Sequence, residues 1–453
     1  MHVKTMTSPI LAVLLLLAPP AWGEAMDAAQ TQITALAAPR GAQLDGLPFN
    51  KDNKADKGSS DDDIARETDV WGRIRSGYAI PDMDNALVAK HVTWYSTRPD
   101  HIAITTARAS RYLFHVVQEL QKRGMPTELA LLPFIESGFN PLAFSSASAA
   151  GMWQFIPATG RSFNLKQNMF KDERRGVVAS TDAALSYLQK LYGMFGDWQL
   201  ALAAYNWGEG SVQKAIKKNE AMGKPTDFES LADLMPSETR NYFPKLQAMK
   251  NIIATPAQFG LTLPLIDNQP YFITVDKTSD IDVTIAAQLA ELSVDDFKAL
   301  NPQFKRPVIT GNANTQILLP KENAEKFHLN LAQWGQALST WTTHKITSAR
   351  ERIDTLASKY GTTPEILRQA NNIPQKTLLM AGSTILVPRT STSLNIDITQ
   401  EITDNATLLF AADRPERKRP ALSSDRSKGK SAAPISLVKA RVSRATKTKH
   451  PAR

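Results

Sequence analysis

Apolar residues recur at three- and four-residue steps from Asp69 onward: Val70, Trp71 and Ile74, then Leu87, Val88, Val92, Trp94 and Tyr95. That period puts them on one stripe of a helix, so helices begin there. Residues 105–123 carry Tyr112, Leu113, Val116, Val117 and Leu120 on one stripe and stop at Gly124, a residue suited to a left-handed helix end. Pro126 fits the first turn of a further helix over residues 127–136. Its Leu129, Ala130, Leu131, Leu132, Phe134 and Ile135 leave almost no polar face, so this helix must be buried. More helical stretches are predicted over residues 180–194, 198–205, 210–219 and 239–253. No strand-like alternation interrupts them, and residues 67–256 read as one all-α domain.

After Thr255 the pattern changes. Residues 271–275 form a short β-rich run, 285–292 and 294–301 read as helices, and 316–320 is a second β run. The same order returns at residues 345–347, 352–360, 364–371 and 383–388, which makes an internal repeat. Ser293-Val294-Asp295-Asp296-Phe297 with Leu300-Asn301 parallels Thr362-Thr363-Pro364-Glu365-Ile366 with Ala370-Asn371. The fold class is therefore α+β and multidomain: the all-α domain, then two small βααβ domains at residues 268–322 and 341–390. Residues 24–66 are polar and lack apolar periodicity, as a linker or arm would. Residues 391–453 are expected to be a disordered basic tail, with a minor ordered piece allowed between 394 and 409.

Charge sharpens this division. The 453-residue chain carries a net +9, but residues 414–453 hold 13 Lys and Arg against two Asp and Glu, a surplus of 11. The rest of the chain is slightly acidic, so cationic character belongs to the tail and suggests a polyanion partner for it alone. Cysteine is absent, which excludes disulfides, thiol nucleophiles and N-terminal Cys lipidation. At the N-terminus, Lys4, a short apolar run over 10–18 and Ala21-Trp22-Gly23 read as a cleaved secretory signal over residues 1–23, with a periplasmic protein as the consequence; an uncleaved N-terminal anchor is the alternative reading.

Glu136 is the candidate that carries chemistry. It ends the apolar helix, beside a hydrophobic core and at the negative end of the helix dipole, and both effects favour the protonated carboxyl. Such a group can protonate a leaving oxygen, as glycosidic cleavage requires. A glutamate there can equally cap the helix and reach for water, and position alone leaves both readings open.

Four motifs follow in order: Glu136-Ser137-Gly138-Phe139-Asn140, Gly151-Met152-Trp153-Gln154-Phe155-Ile156-Pro157, Ala204-Tyr205-Asn206-Trp207-Gly208, and Asn241-Tyr242 within a helix. Together they resemble the lytic transglycosylase family of the soluble-lytic-transglycosylase, lysozyme-like fold. Val70-Trp71 with Ile74-Arg75, Lys122-Arg123-Gly124-Met125-Pro126 and Lys224-Pro225-Thr226-Asp227-Phe228 resemble its membrane-bound lytic murein transglycosylase D subfamily. The resemblance implies that Glu136 protonates the oxygen between N-acetylmuramic acid and N-acetylglucosamine in peptidoglycan. It then implies that Glu136 acts as base toward the muramic acid C6 hydroxyl, giving a 1,6-anhydro product. No second carboxylate is evident in the motifs, which fits a substrate hydroxyl that attacks intramolecularly. Ser145, Gln154, Tyr205, Asn206, Glu238 and Tyr242 are implied as substrate contacts.

Each has a plainer reading: a loop hydroxyl for Ser145, a solvent-facing amide for Gln154, capping and core for Tyr205 and Asn206, a helix N-terminal charge for Glu238. The βααβ repeats resemble LysM modules, which implies binding of N-acetylglucosamine units, or else service as spacers. Both lack the usual Gly-Asp-Thr turn, having Lys277-Thr278-Ser279 and Ser348-Ala349-Arg350 instead, but both keep Asn301 and Asn371. A hydrolytic lysozyme on the same fold and a catalytically inactive glycan-binding scaffold stay open as alternatives. No cofactor, no metal and no specific nucleic acid are expected, since no His-Glu-x-x-His set or phosphate-cradling loop is present; a monomer is expected.

Overall fold

Asp69 caps the helix Val70–Ser76 by accepting the Trp71 N–H at 3.3 Å, and Asn85 does the same for Ala86–Ser96 through Leu87 and Val88. The computed structural model describes residues 69–412, apart from 278, 311–314, 349–350, 392 and 394–395. The expected signal at 1–23, the arm at 24–66 and the basic residues after 413 lie outside the described residues. Among the described residues, no helix is long and apolar enough to cross a membrane.

The all-α expectation for the first domain holds, with two differences. The stripe over 105–123 is two helices, Pro99–Ala109 and Leu113–Lys122. The break lets Tyr112 bury its ring and donate its hydroxyl to the Ala299 carbonyl at 2.8 Å, a tertiary bond that local periodicity does not reveal. Second, the apolar stretch before Glu136 is a 3₁₀ turn, Thr127–Leu131, followed by a five-residue α-helix, Leu132–Glu136. Pro133 supplies no N–H, and the Glu128 carboxylate is pulled onto the Ala79 and Ile80 amides, so the chain winds tightly first. Burial is as expected: Leu129 to Leu132 are fully enclosed.

Of the longer helices Val177–Phe195, Trp198–Trp207, Glu209–Glu220 and Ser237–Ala254, the last packs directly on this segment, and Trp198–Trp207 joins the other three. Trp71 and Trp153 sit at the centre with their indole N–H groups satisfied by the Pro264 carbonyl (2.9 Å) and the Thr181 hydroxyl (3.1 Å). Beyond Ile253 the chain returns to its starting helix, where Val70 donates to the Ile266 carbonyl at 3.0 Å.

In the first repeat, Ile273–Asp276 pairs antiparallel with Gln316–Leu319 around Val283–Leu289 and Val294–Leu300. In the second, Trp341–Lys345 pairs with Thr384–Pro388 around Ile353–Lys359 and Pro364–Asn371. The opening strand of this copy begins earlier than the apolar pattern indicates. Asn301 and Asn371 explain their presence in both copies. Each is buried and closes the same clamp: Asn301 donates to Phe297 and Leu318 and accepts from Leu318, and Asn371 donates to Leu367 and Leu386 and accepts from Leu386. A buried amide with three bonds satisfied ties the second helix to the closing strand.

Two pieces went unread in the sequence: the helix Lys321–Ala332 and the small ladder between Ile281–Asp282 and Val308–Ile309. The helix Gln400–Asn405 lies within residues 394–409, where the sequence allows a minor ordered piece. Residues beyond Thr390 return to the second repeat, where Thr384 donates to the Thr407 carbonyl at 2.7 Å and Met380 to that of Leu409 at 3.1 Å.

Candidate active site

Glu136 is the last residue of Leu132–Glu136 and is partly buried. Its carboxylate Oε1 accepts a short hydrogen bond from the Tyr242 hydroxyl. Burial pushes the Glu136 carboxyl up to about 7; the Tyr242 bond and Lys245 oppose this, and the Glu238 charge adds to it. The helix dipole invoked from sequence is a small contributor, since the helix has only five residues. Tyr242 is itself buried, and burial together with the Glu136 charge holds its hydroxyl well above the usual phenol range. It therefore stays protonated, and a donor, near neutral pH.

The other motifs are stitched to this pair. Ser137, next to Glu136, donates its hydroxyl to the Met152 carbonyl at 3.0 Å, which ties the acid to the Gly151–Pro157 turn. Tyr205 donates to the neighbouring Trp153 carbonyl at 2.9 Å, with its ring set against Tyr187 and Phe155. Burial and the Glu136 charge raise its phenol well above the usual range too. Asn206 accepts the Thr239 hydroxyl at 2.7 Å, joining the Tyr205 motif to the start of the Ser237–Ala254 helix. Glu238 is solvent-exposed in the first turn of that helix and acts on Glu136 through its charge.

Gln154 is partly buried, with its side-chain amide donating to the Gly151 carbonyl at 2.7 Å and its backbone at φ +50°. A left-handed glutamine is uncommon, and the turn that forces it presents Trp153 and Met152 carbonyls to Tyr205 and Ser137. Ser145 stands apart: its hydroxyl accepts from the Ala149 N–H at 3.0 Å within its own loop. No hydrogen bond joins it to the Glu136 group.

Sequence reasoning missed the residues that hold this turn. Arg174 is buried, pairs through two bonds with Asp172 at 2.9 and 2.8 Å, and donates to the Ser148 (2.6 Å) and Phe155 (3.1 Å) carbonyls. Gly151, at φ +84°, runs so close beneath that a β-carbon would meet the Arg174 carbonyl oxygen at 1.9 Å. Tyr187 was also missed; it donates to Glu209 at 2.8 Å and supports the Tyr205 ring. Nothing local marks these residues. Lys245 was legible in principle, because it follows Tyr242 by three residues and Glu238 by seven on one helix face. Among the described residues, no group of three His, Asp or Glu could hold a metal ion.

A buried carboxyl set on a helical core, with aromatic and amide groups gathered round it and βααβ modules after it, matches known families. The Transglycosylase SLT domain model matches residues 116–228. The model described as Lytic transglycosylase MltD, LysM-like domain, matches residues 271–336, and the LysM domain model matches residues 353–388. These define the class: an SLT-type transglycosylase domain followed by two LysM-type domains.

The chain is 36% identical over 322 residues to the membrane-bound lytic murein transglycosylase D of Escherichia coli (strain K12), covering 68% of this chain and 71% of that protein. It is 43% identical over 125 residues to a putative tributyltin chloride resistance protein of Alteromonas sp. (strain M-1), covering 27% of this chain and 60% of that one. It is 32% identical over 187 residues to the membrane-bound lytic murein transglycosylase C of Yersinia enterocolitica, covering 35% and 51%. The chain belongs to the lytic murein transglycosylase family.

Proposed function

We propose that this protein is a peptidoglycan lytic transglycosylase that cleaves the β-1,4 bond between N-acetylmuramic acid and N-acetylglucosamine without water. The observation that carries the reading is the Glu136 carboxyl, raised to about 7 by burial and bonded to the Tyr242 hydroxyl. A group with that affinity holds a proton for the leaving oxygen near neutral pH and, once ionised, is a competent base for the C6 hydroxyl. Tyr242 moderates the swing, since its hydrogen bond strengthens as Glu136 becomes charged. Tyr205, Asn206, Gln154 and Glu238 line the sugar-binding ground around the acid in this reading, and Ser145 contributes from its loop. No partner carboxylate replaces water activation, because the C6 hydroxyl is delivered by the substrate itself.

A hydrolytic outcome is the second reading, and Glu238 is what favours it: its charge reaches Glu136, and an exposed carboxylate there can recruit water. Mass spectrometry of muropeptides released from purified sacculi separates the two. Products one water lighter than reducing muropeptides support the transglycosylase, and reducing ends throughout overturn it.

Location and anchorage complete the proposal: a periplasmic monomer exported by residues 1–23, with the LysM-type domains gripping N-acetylglucosamine units. Residues 414–453, with their surplus of 11 positive charges, hold polyanionic surfaces. Sedimentation with sacculi between low and high salt checks the last point; removing residues 413–453 is expected to flatten the salt dependence.

A further inference from the structure

Asp172 and Arg174, which hold the Gly151–Pro157 turn, lie on the returning arm of a hairpin-like loop over residues 166–174. Asn168 donates to the Lys171 carbonyl at 2.9 Å and Glu173 to that of Lys166 at 2.8 Å, so the loop closes on itself. A two-armed loop this short has little stability of its own. Its tip carries Met169 and Phe170, and neither joins the core of the helical domain. Both are buried in a separate cluster with Val308 of the first βααβ domain, Leu386 of the second, and Ile398 and Ala406 of the segment that follows.

The backbone of the loop is held from the same side. Asp172 donates its N–H to the Gln303 carbonyl at 2.9 Å and Lys305 donates to the Phe170 carbonyl at 2.8 Å, around an antiparallel bridge between Lys171 and Phe304. The buried Arg306 donates its Nε to the Met169 carbonyl at 3.0 Å and its Nη1 to the Ala370 carbonyl at 3.4 Å. One guanidinium thus joins the tip of the loop to both βααβ domains.

From there the bonds run on to the acid without a gap. Gln303 fixes the Asp172 amide, and the Asp172 carboxylate holds Arg174. Arg174 holds the Ser148 and Phe155 carbonyls, and its own carbonyl presses on Gly151. The turn so placed presents the Met152 carbonyl to Ser137, the neighbour of Glu136, and the Trp153 carbonyl to Tyr205, whose phenol feels the Glu136 charge.

We infer that Arg306 and the segment 303–305 are positioning elements of the active site: the first βααβ domain holds the 166–174 loop and, through Arg174, sets the Gly151–Pro157 turn for catalysis. This rests on the transglycosylase reading above and goes beyond it, because it gives the domain a task besides gripping glycan. Arg306 acts only through the bonds it makes, and displacing groups beside a reacting bond by about 1 Å costs up to about a hundredfold in rate.

The test uses the full-length protein with Arg306→Met, Arg306→Lys and, as a cut from the other side of the contact, Met169→Ala. Amide hydrogen exchange is followed across residues 148–157, and steady-state cleavage is measured on soluble glycan strands too short to reach the βααβ domains. Arg306→Met is expected to speed exchange at the turn about tenfold, with the Val177–Phe195 helix unchanged, and to lower kcat about tenfold with KM within about twofold of wild type. Arg306→Lys, which keeps a donor for one of the two carbonyls, should recover part of both effects. Met169→Ala should move both in the same direction by less, and it decides the matter alone if Arg306→Met does not fold. Unchanged exchange at the turn, exchange that speeds equally in the Val177–Phe195 helix, or a change of KM with kcat as in wild type would overturn the inference. Wild-type protein that releases no anhydro product would instead remove the transglycosylase reading, and the exchange data would still decide whether Arg306 holds the turn.

Discussion

Two glutamates stand at opposite ends of one buried segment, and their surroundings assign them opposite tasks. Glu128, in the 3₁₀ turn, is 1% exposed and fully committed: it accepts the Ala79 and Ile80 amides at 2.7–3.1 Å and pairs with Lys250 at 3.2 Å. Lys250 in turn donates to the Ile80 carbonyl at 2.8 Å and pairs with Asp82 at 2.8 Å. Glu136, eight residues on, has no ion-pair partner of this kind and one hydroxyl donor, Tyr242. Burial of a carboxylate with a cation and amide donors makes a structural clamp; burial with only a phenol makes a carboxyl that holds its proton. The same residue type, in the same segment, is thus fastened at one end and left able to hold a proton at the other.

Exchanging each for glutamine breaks the comparison most directly. Glu136→Gln keeps the shape and removes the proton donor, so strand cleavage should fall on the order of 10³-fold while the protein stays folded. Turnover assays with circular dichroism on the same sample check both halves. Glu128→Gln should do the reverse, removing one of the two carboxylates that face Lys250 and weakening the bonds from the Ala79 and Ile80 amides, at a cost of about 1–3 kcal/mol in urea unfolding. Its specific activity, corrected for folded fraction, should stay within a few-fold of wild type. Tyr242→Phe sharpens the contrast by leaving Glu136 with no donor. A bond to a charged group is worth about 1.5–3 kcal/mol, so kcat should drop roughly 10–100-fold, and the basic limb of the pH profile should move up.

The smallest effect is on stability. The folded Glu136 carboxyl sits near 7 against an ordinary value of 4.5, so the native state holds a proton more tightly than the unfolded chain does. The contribution of Glu136 to stability is greatest below 4.5, declines between 4.5 and about 7, and is level above. Glu136→Gln has no proton to lose, so its stability relative to wild type should rise over that window. Partial exposure reduces the gain to about 1–2 kcal/mol at pH 8.

This contrast was only half legible in the sequence. Glu136 stood out because an apolar helix ended at it and motifs followed in order, and the stitching of Ser137, Tyr205 and Asn206 into one site followed those motifs. Asn301 and Asn371 were visible as repeated positions, and the structure supplied their reason. Glu128 was invisible, since its partners Ala79, Ile80 and Lys250 are scattered along the chain and leave no periodic trace. The same holds for Asp172 and Arg174 beneath Gly151. The 3₁₀ winding of Thr127–Leu131 and the break before Leu113 were misjudged because tertiary bonds, not local pattern, decide them. The resemblance implies Ser145 as a substrate contact, whereas its hydroxyl bonds within its own loop in the structure.

The account turns on a proton resting on Glu136 near neutral pH. The most direct measurement is the pH dependence of kcat/KM for cleavage of defined glycan strands from pH 5 to 9. The account predicts a basic limb with a midpoint near 7, falling about tenfold per pH unit above it and absent from the residual activity of Glu136→Gln. A profile that is flat through pH 9, or one that already falls away near 4.5, would contradict it.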